Sequence, residues 1–270
     1  MHIIRFESDD NKIYTGCEYK DGQANIIQGD IYTRFKKTRV KKIVKKLLTP
    51  IMPTVIYCIG FNFMPHIKET GFKLPEYPIL FMKNLGAAAA HLDDIKIPAS
   101  CENPPQVDYE AELAVVIKNK IKNVSVDKAL DSVLGYTCAN DISARIWQMH
   151  GGGKQWVRGK SFDTFCPFGP WIVTSDELKN PDDLEIECVL NGKTMQKGNT
   201  RDMIFSVAQL ISFLSESTTL FPGTLILTGT PSGVGFTRQP PVFLAPGDIL
   251  ETKIKGIGQI KNLVVPEKEQ

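Results

Sequence analysis

The sequence predicts an α+β protein dominated by strands, with a small β/α subdomain at its N-terminus. Three observations carry that expectation. Short runs of β-branched and aromatic residues, bounded by Gly, Pro, Asn and Asp, recur along the chain. Helical periodicities are fewer and do not alternate with the strands, so a doubly wound sheet or an α/β barrel fits poorly. Pro50 and Pro53 stop the first helical pattern and place a boundary near residue 52, dividing the chain into 1–52 and 53–270.

Taken in order, residues 3–7, 12–19 and 24–31 read as strands separated by polar turns such as Asp21-Gly22. Val40, Ile43, Val44, Leu47 and Leu48 then fall at i, i+3, i+4, i+7 and i+8, the spacing of one apolar helix face. Arg34, Lys36, Lys37, Arg39, Lys41, Lys42, Lys45 and Lys46 make its surroundings basic. Such a run raises binding to nucleic acid or to a membrane surface. Without aromatic interleaving or a second basic block, a solvated face is the expected reading, with neither partner. Beyond the boundary, strands are expected at 54–59, 79–82, 112–117, 133–137, 171–174, 184–190 and 224–227, and helices at 126–131, 143–149 and 203–215.

The 270 residues suffice for one large domain with an appendage, and 42% hydrophobic with 23% charged residues is an ordinary globular balance. No apolar run approaches membrane-span length, and a net charge of +2 points to no partner class. The first ten residues lack an apolar signal core, so the cytosol is the expected location. Removal of a presequence would leave the same chain, which keeps a mitochondrial setting open. The six cysteines are scattered without a C-x-x-C and read as reduced core residues. A nucleophilic Cys58 acting with His66 has no local motif behind it.

The segment from Val107 to Ile117 carries most of the chemistry. In a strand, Asp108, Glu110 and Glu112 share a face, and the apolar continuation drives that strand into a core. Adjacent carboxylates at the mouth of a buried strand repel one another and are costly to desolvate, and a bound cation removes that cost. A solvent-facing acidic edge would explain the pattern equally well. Asp141 tips the balance, because it ends another apolar strand, although it could simply cap the helix expected after it. Three carboxylates without nearby His or Cys at ligand spacing suit a hard cation such as Mg²⁺ rather than Zn²⁺.

Several motifs then occur in a familiar order: Gly60-Phe-Asn-Phe with His66 and Glu69, Glu110-Ala-Glu112, Asn140-Asp141-Ile-Ser-Ala-Arg145 with Trp147-Gln148, Gln155-Trp156 before Lys160-Ser-Phe-Asp163, Asn191-Gly192 with Gln196, and Leu227-Thr-Gly-Thr-Pro-Ser-Gly-Val-Gly235. Over roughly residues 55 to 263 they resemble the fumarylacetoacetate hydrolase (FAH) family, and the stretch 155–170 is most similar to its domain-containing protein 2 subfamily. The resemblance implies a mixed β-sandwich roll, a homodimer, and Mg²⁺ or Mn²⁺ held by Glu110, Glu112 and Asp141. It implies that His66 and Glu69 sit on a mobile lid and orient or deprotonate water, that Lys83, Arg145 and Lys160 compensate the anionic site, and that Thr230 touches a substrate carboxylate. Phe61 departs from the Arg of the family's acylpyruvases, Phe63 from the usual Tyr, and Ile146 from the usual Asp.

The residues are consistent with that picture. His66 and Glu69, three apart on a helical turn, would face the same way, and a carboxylate beside an imidazole raises its basicity. The glycine-rich loop at 228–235 follows a strand and could bind an anion through its backbone, though without the Gly-Lys-Ser/Thr of a phosphate loop. The expected substrate is a small anionic 2-oxo or β-diketo acid. Hydrolysis of a C–C bond, releasing pyruvate or a similar acid through an enolate, is the leading expectation. The alternative is enol–keto tautomerisation or decarboxylation of an oxaloacetate-like acid at the same metal, with Lys160 or Gln148 assisting proton transfer.

Overall fold

The computed structural model describes residues 1–268, so the last two residues of the expected 53–270 domain lie outside the described residues. Its core is an eleven-stranded mixed sheet. Along the sheet the strands run Ile13–Lys20, Gln23–Gly29, Phe35–Leu48, His2–Ser8, Cys166–Thr174, Val133–Asn140, Ala111–Ile117, Thr224–Leu227, Val55–Gly60 and Ile79–Lys83, with the short Ala88–Ala89 pairing beside Cys166–Thr174. A second sheet of five strands, ordered Lys193–Asn199, Glu185–Leu190, Ile249–Ile254, Gly258–Pro266 and Ile95–Ile97, packs against the middle of the first. This is the mainly β, α+β architecture expected. The central strands Ala111–Ile117 and Val133–Asn140 are buried at every position, which is why they read as continuous apolar runs rather than as alternating ones.

The first strand joins the N-terminal residues to this core. Ile3 pairs with Ile172 on one side and Cys17 on the other, so the N-terminal strands extend the main sheet. The segment expected to be a helix through Val40 and Leu48 is instead the 14-residue strand Phe35–Leu48. Two neighbours, Gln23–Gly29 and His2–Ser8, offer it backbone partners along its length. Its β-branched Thr38, Val40, Ile43 and Val44 suit a pleated surface, and tertiary pairing overrides the 3.6-residue spacing. Val40 and Ile43, assigned to the buried face of a helix, are exposed. Part of the basic run is answered locally, since Lys37 pairs with Glu18, Lys42 with Asp10 and Lys45 with Glu7. No helix among the described residues is long and apolar enough to cross a membrane.

Two further corrections bear on the site. The helix expected over 143–149 is a two-residue strand, Ser143–Ala144, followed by a π-helix at Trp147–Gly151. Gln106 sets this geometry: its carbonyl oxygen accepts the Arg145 N–H, and its side-chain oxygen accepts those of Ile146 and Trp147. The helix expected over 203–215 begins only at Val207, where Ser206 and Gln209 form a capping box.

Candidate active site

The register of the two central strands builds the carboxylate cluster. Ala111 lies opposite Asn140, so the next positions outward, Glu110 and Asp141, face each other across the ladder, and the Asp141 N–H donates to the Glu110 carbonyl at 2.8 Å. Glu112, two residues along, shares the face of Glu110. The side chain of Asn140 accepts the Glu110 N–H at 2.9 Å, and Gln196 accepts that of Ala111 at 2.9 Å, where the ladder itself has ended. Glu110, Glu112 and Asp141 are all buried, and one oxygen of each lies within 4.8 Å of the others.

Asp108 does not join them. The strand breaks at Tyr109 and Glu110, and Val107–Asp108 pairs instead with Ser143–Ala144. The buried Asp108 carboxylate accepts the backbone N–H groups of Tyr109, Gly235 and Phe236 and binds Arg145 at 2.8 and 2.9 Å. Arg145 reaches Glu110 at 2.7 Å and donates to Gln148 at 2.9 Å, and its guanidinium lies 4.4 Å from the centre of the Phe236 ring.

Two lysines complete the network. Lys160 Nζ lies 2.8 Å from Glu110 Oε2 and 2.6 Å from Asp141 Oδ2. Lys83 Nζ donates to Asp141 Oδ1 at 2.5 Å and to the carbonyls of Ile142 and Lys160 at 3.0 and 2.5 Å, which uses all three of its hydrogens. Lys83, expected among the cations that compensate the anionic site, holds Asp141 and the Lys160 backbone. Burial alone would lower the Lys160 pKa, but Asp141 and Glu110 outweigh it and hold the ammonium above its ordinary value. Burial would likewise raise the Glu110 carboxyl, but Lys160 and Arg145 hold it well below the usual carboxylate range.

Four buried carboxylates, Asp108, Glu110, Glu112 and Asp141, thus meet three buried cations, Lys83, Arg145 and Lys160. Glu112 is the one left over. Its only donor among the described residues is the Gly229 N–H at 2.7 Å, and burial, then Asp141 and Glu110, push its pKa well above the carboxylate range. An all-oxygen donor set with one uncompensated buried carboxyl fits a hard divalent cation.

A cavity of about 120 Å³ opens over this cluster. Its polar lining is His66, Glu110, Glu112, Arg145, Gln148, Lys160 and Thr230. His66 stands on the short helix Met64–Thr70, which Gly71 ends in the left-handed conformation at φ 71°. Its Nδ1 lies 3.0 Å from Glu69 Oε2, so a proton held on Nδ1 leaves Nε2 as the free acceptor. Glu69 Oε1 accepts the Gly233 N–H and the Thr237 hydroxyl at 2.8 and 2.9 Å. The backbone N–H groups of the glycine-rich loop are taken up by the protein's own carboxyl groups: Glu112 at Gly229, Glu69 at Gly233 and Asp108 at Gly235. Gly235 has no room for a side chain, since an added Cβ would lie 1.9 Å from the Val242 carbonyl oxygen. Thr230 donates to the Ala111 carbonyl and accepts from Gln196.

The rest of the lining is largely aromatic: Phe61, Phe72, Phe81, Trp156 and Phe236. Of these, Phe72, Phe81 and Phe236 carried no signal in the sequence, because only the fold brings them together. Cys58 is buried and its thiol is pushed well above its ordinary pKa by burial and by Asp141, which keeps it protonated and unsuited to attack.

Comparison with known proteins agrees with this architecture. Residues 55–265 match the family model described as "Fumarylacetoacetate (FAA) hydrolase C-terminal". A Xenopus laevis protein named oxaloacetate tautomerase fahd2, mitochondrial, is 40% identical over 98% of this chain and 90% of its own length. A Homo sapiens protein named oxaloacetate tautomerase FAHD2A, mitochondrial, is 44% identical over 81% of this chain and 69% of its own. Among solved structures, a 2-hydroxyhepta-2,4-diene-1,7-dioate isomerase from Mycobacterium marinum superposes with a TM-score of 0.84 at 35% identity, covering all of both chains.

Proposed function

This chain belongs to the fumarylacetoacetate hydrolase family of enzymes, and on that premise we propose that it interconverts the enol and keto forms of a small 2-oxo acid, oxaloacetate first among them. The observation that carries the reading is Lys160: a buried ammonium, kept charged by Glu110 and Asp141, exposed to substrate at the wall of the cavity. Two of its hydrogens are committed to those carboxylates and the third remains for transfer.

In this reading Glu110, Glu112 and Asp141 hold Mg²⁺ or Mn²⁺, which when bound would offset the negative charge that develops on the 2-oxo oxygen. Arg145 offers a carboxylate anchor. Its guanidinium lines the cavity while paired with Asp108 and Glu110. Gln148 and Thr230 line the same cavity and help place the acid. His66 Nε2 takes the enolic proton, Glu69 stabilises the resulting imidazolium, and Lys160 Nζ delivers a proton to C3. One O–H and the C=C are lost, one C–H is gained and the C–O becomes C=O; His66 then releases its proton to solvent and Lys160 takes one up, so neither water nor an oxidant is consumed.

C–C bond hydrolysis, the leading expectation from the sequence, becomes the second reading. What favours it is the His66–Glu69 pair, which could equally take a proton from water. The names of the relatives favour tautomerisation, and those names are mitochondrial, which replaces the cytosolic expectation in this proposal. Residues 1–52 are here a small subdomain and the remainder the catalytic part, acting as a homodimer. The metal requirement is tested directly. EDTA should abolish turnover, Mg²⁺ or Mn²⁺ should restore it, and Glu110→Gln should lose calorimetric metal binding together with activity. Full turnover in chelated protein would remove the proposal.

A further inference from the structure

We infer that the same cavity also seats 2-oxo acids bearing a planar, apolar group on C3, the arylpyruvate class, with Phe61 as the residue that sets this selectivity. The inference rests on the tautomerase reading for its chemistry and on the aromatic lining for its substrate class.

Phe61, Phe72, Phe81 and Trp156 form one continuous wall. The rings of Phe61 and Phe72 are 4.3 Å apart, Phe61 meets Trp156 edge-on at 5.6 Å, and Trp156 meets Phe81 edge-on at 5.3 Å. Phe61 also stacks on the His66 imidazole at 5.6 Å, which places the wall beside the proposed proton acceptor. These are separations at which aromatic rings attract one another, and a further ring entering the cavity would find both edges and faces to meet.

Two successive backbone features build this surface. Gly60 leaves the indole lying against bare backbone, since an added Cβ would sit 2.4 Å from Trp156 Cζ3. Phe61 then takes φ 53°, a left-handed conformation that a bulky side chain adopts only at a cost. Strain of this kind persists where the surroundings impose it and points to a functional placement of the side chain.

The charge inventory agrees. Lys160 and Arg145, the cations that line the cavity, are each committed to two of the protein's carboxylates. The wall formed by Phe61, Phe72, Phe81 and Trp156 itself carries no charge, so an aryl group meets it without desolvating a fixed ion.

The test offers freshly dissolved enol-phenylpyruvate and enol-oxaloacetate to the Mg²⁺-loaded enzyme and follows loss of enol absorbance. Phenylglyoxylate, which has no C3 hydrogen and cannot enolise, serves as a calorimetric probe of binding alone. Both enols should decay faster with enzyme. Phe61→Ala and the bulk-preserving Phe61→Leu should each shift the phenylpyruvate-to-oxaloacetate ratio of kcat/KM against phenylpyruvate by about tenfold and weaken phenylglyoxylate binding to match. Acceleration of oxaloacetate alone would overturn the aromatic seat and leave the tautomerase reading standing. Acceleration of neither would overturn both. An equal loss for both enols in both variants would show Phe61 to be structural only and sink its role in selectivity.

Discussion

Asp108 and Lys83 are buried charges that touch the candidate metal ligands or their partners without belonging to the cluster. In sequence Asp108 stands in line with Glu110 and Glu112, and strand periodicity alone assigns all three one role. The break at Tyr109 separates them, leaving Asp108 to fix Arg145 and the turn at Gly235. Asp108→Asn removes the charge that faces Arg145 and turns one acceptor into a donor. Losing a charge-assisted hydrogen bond costs about 1.5–3 kcal/mol, so kcat/KM should fall roughly tenfold to a hundredfold while calorimetric Mg²⁺ affinity stays close to that of the parent. A loss of Mg²⁺ affinity as severe as that of Glu110→Gln would contradict the separation. Glu110, Glu112 and Asp141 were legible because strand ends and pairs two apart are sequence properties. Lys83 was not. Its burial depends on Ile142 and on the Lys160 carbonyl, which no local pattern places beside it.

At the scale of elements, the clearest misreading was the strand Phe35–Leu48, whose apolar spacing satisfies a helix and whose partners lie outside the window in which spacing is judged. Short elements with local punctuation fared better; Thr224–Leu227 coincides with its expected bounds because the glycine-rich loop ends it. The helix Met64–Thr70 matters most for function, since Glu69 latches it to the loop through Gly233 and Thr237. Burial would raise the Glu69 carboxyl, but His66, Gly233 and Thr237 outweigh it and the net shift is downward. A carboxyl with a lowered folded-state pKa stabilises the fold above its unfolded value, about 4.3, and that contribution fades as pH falls through the folded value. The stability gap between the parent and Glu69→Gln in urea titrations should therefore be full at pH 6–7 and shrink below about pH 4.3. A gap that widens on acidification would contradict the latch.

On the scale of the whole molecule, one sheet carries both the N-terminal strands and the candidate site, and the second sheet closes over it through contacts such as Asn140 with Thr252 and Trp171 with the Ile257 carbonyl. The fold was legible in outline because its strands are apolar and its motifs fall in order. The aromatic lining was not, since it is drawn from segments as distant as Phe61 and Phe236. The central claim is that this architecture moves protons on a 2-oxo acid without cleaving carbon from carbon. It is tested most directly by giving the Mg²⁺-loaded enzyme enol-oxaloacetate and acetylpyruvate in parallel, following enol absorbance in one and pyruvate release in the other, in buffer dilute enough to limit uncatalysed ketonisation. The account predicts that enol decay accelerates by orders of magnitude while acetylpyruvate remains intact. Rapid pyruvate release from acetylpyruvate, with enol decay no faster than in buffer, would contradict it and return the site to hydrolysis.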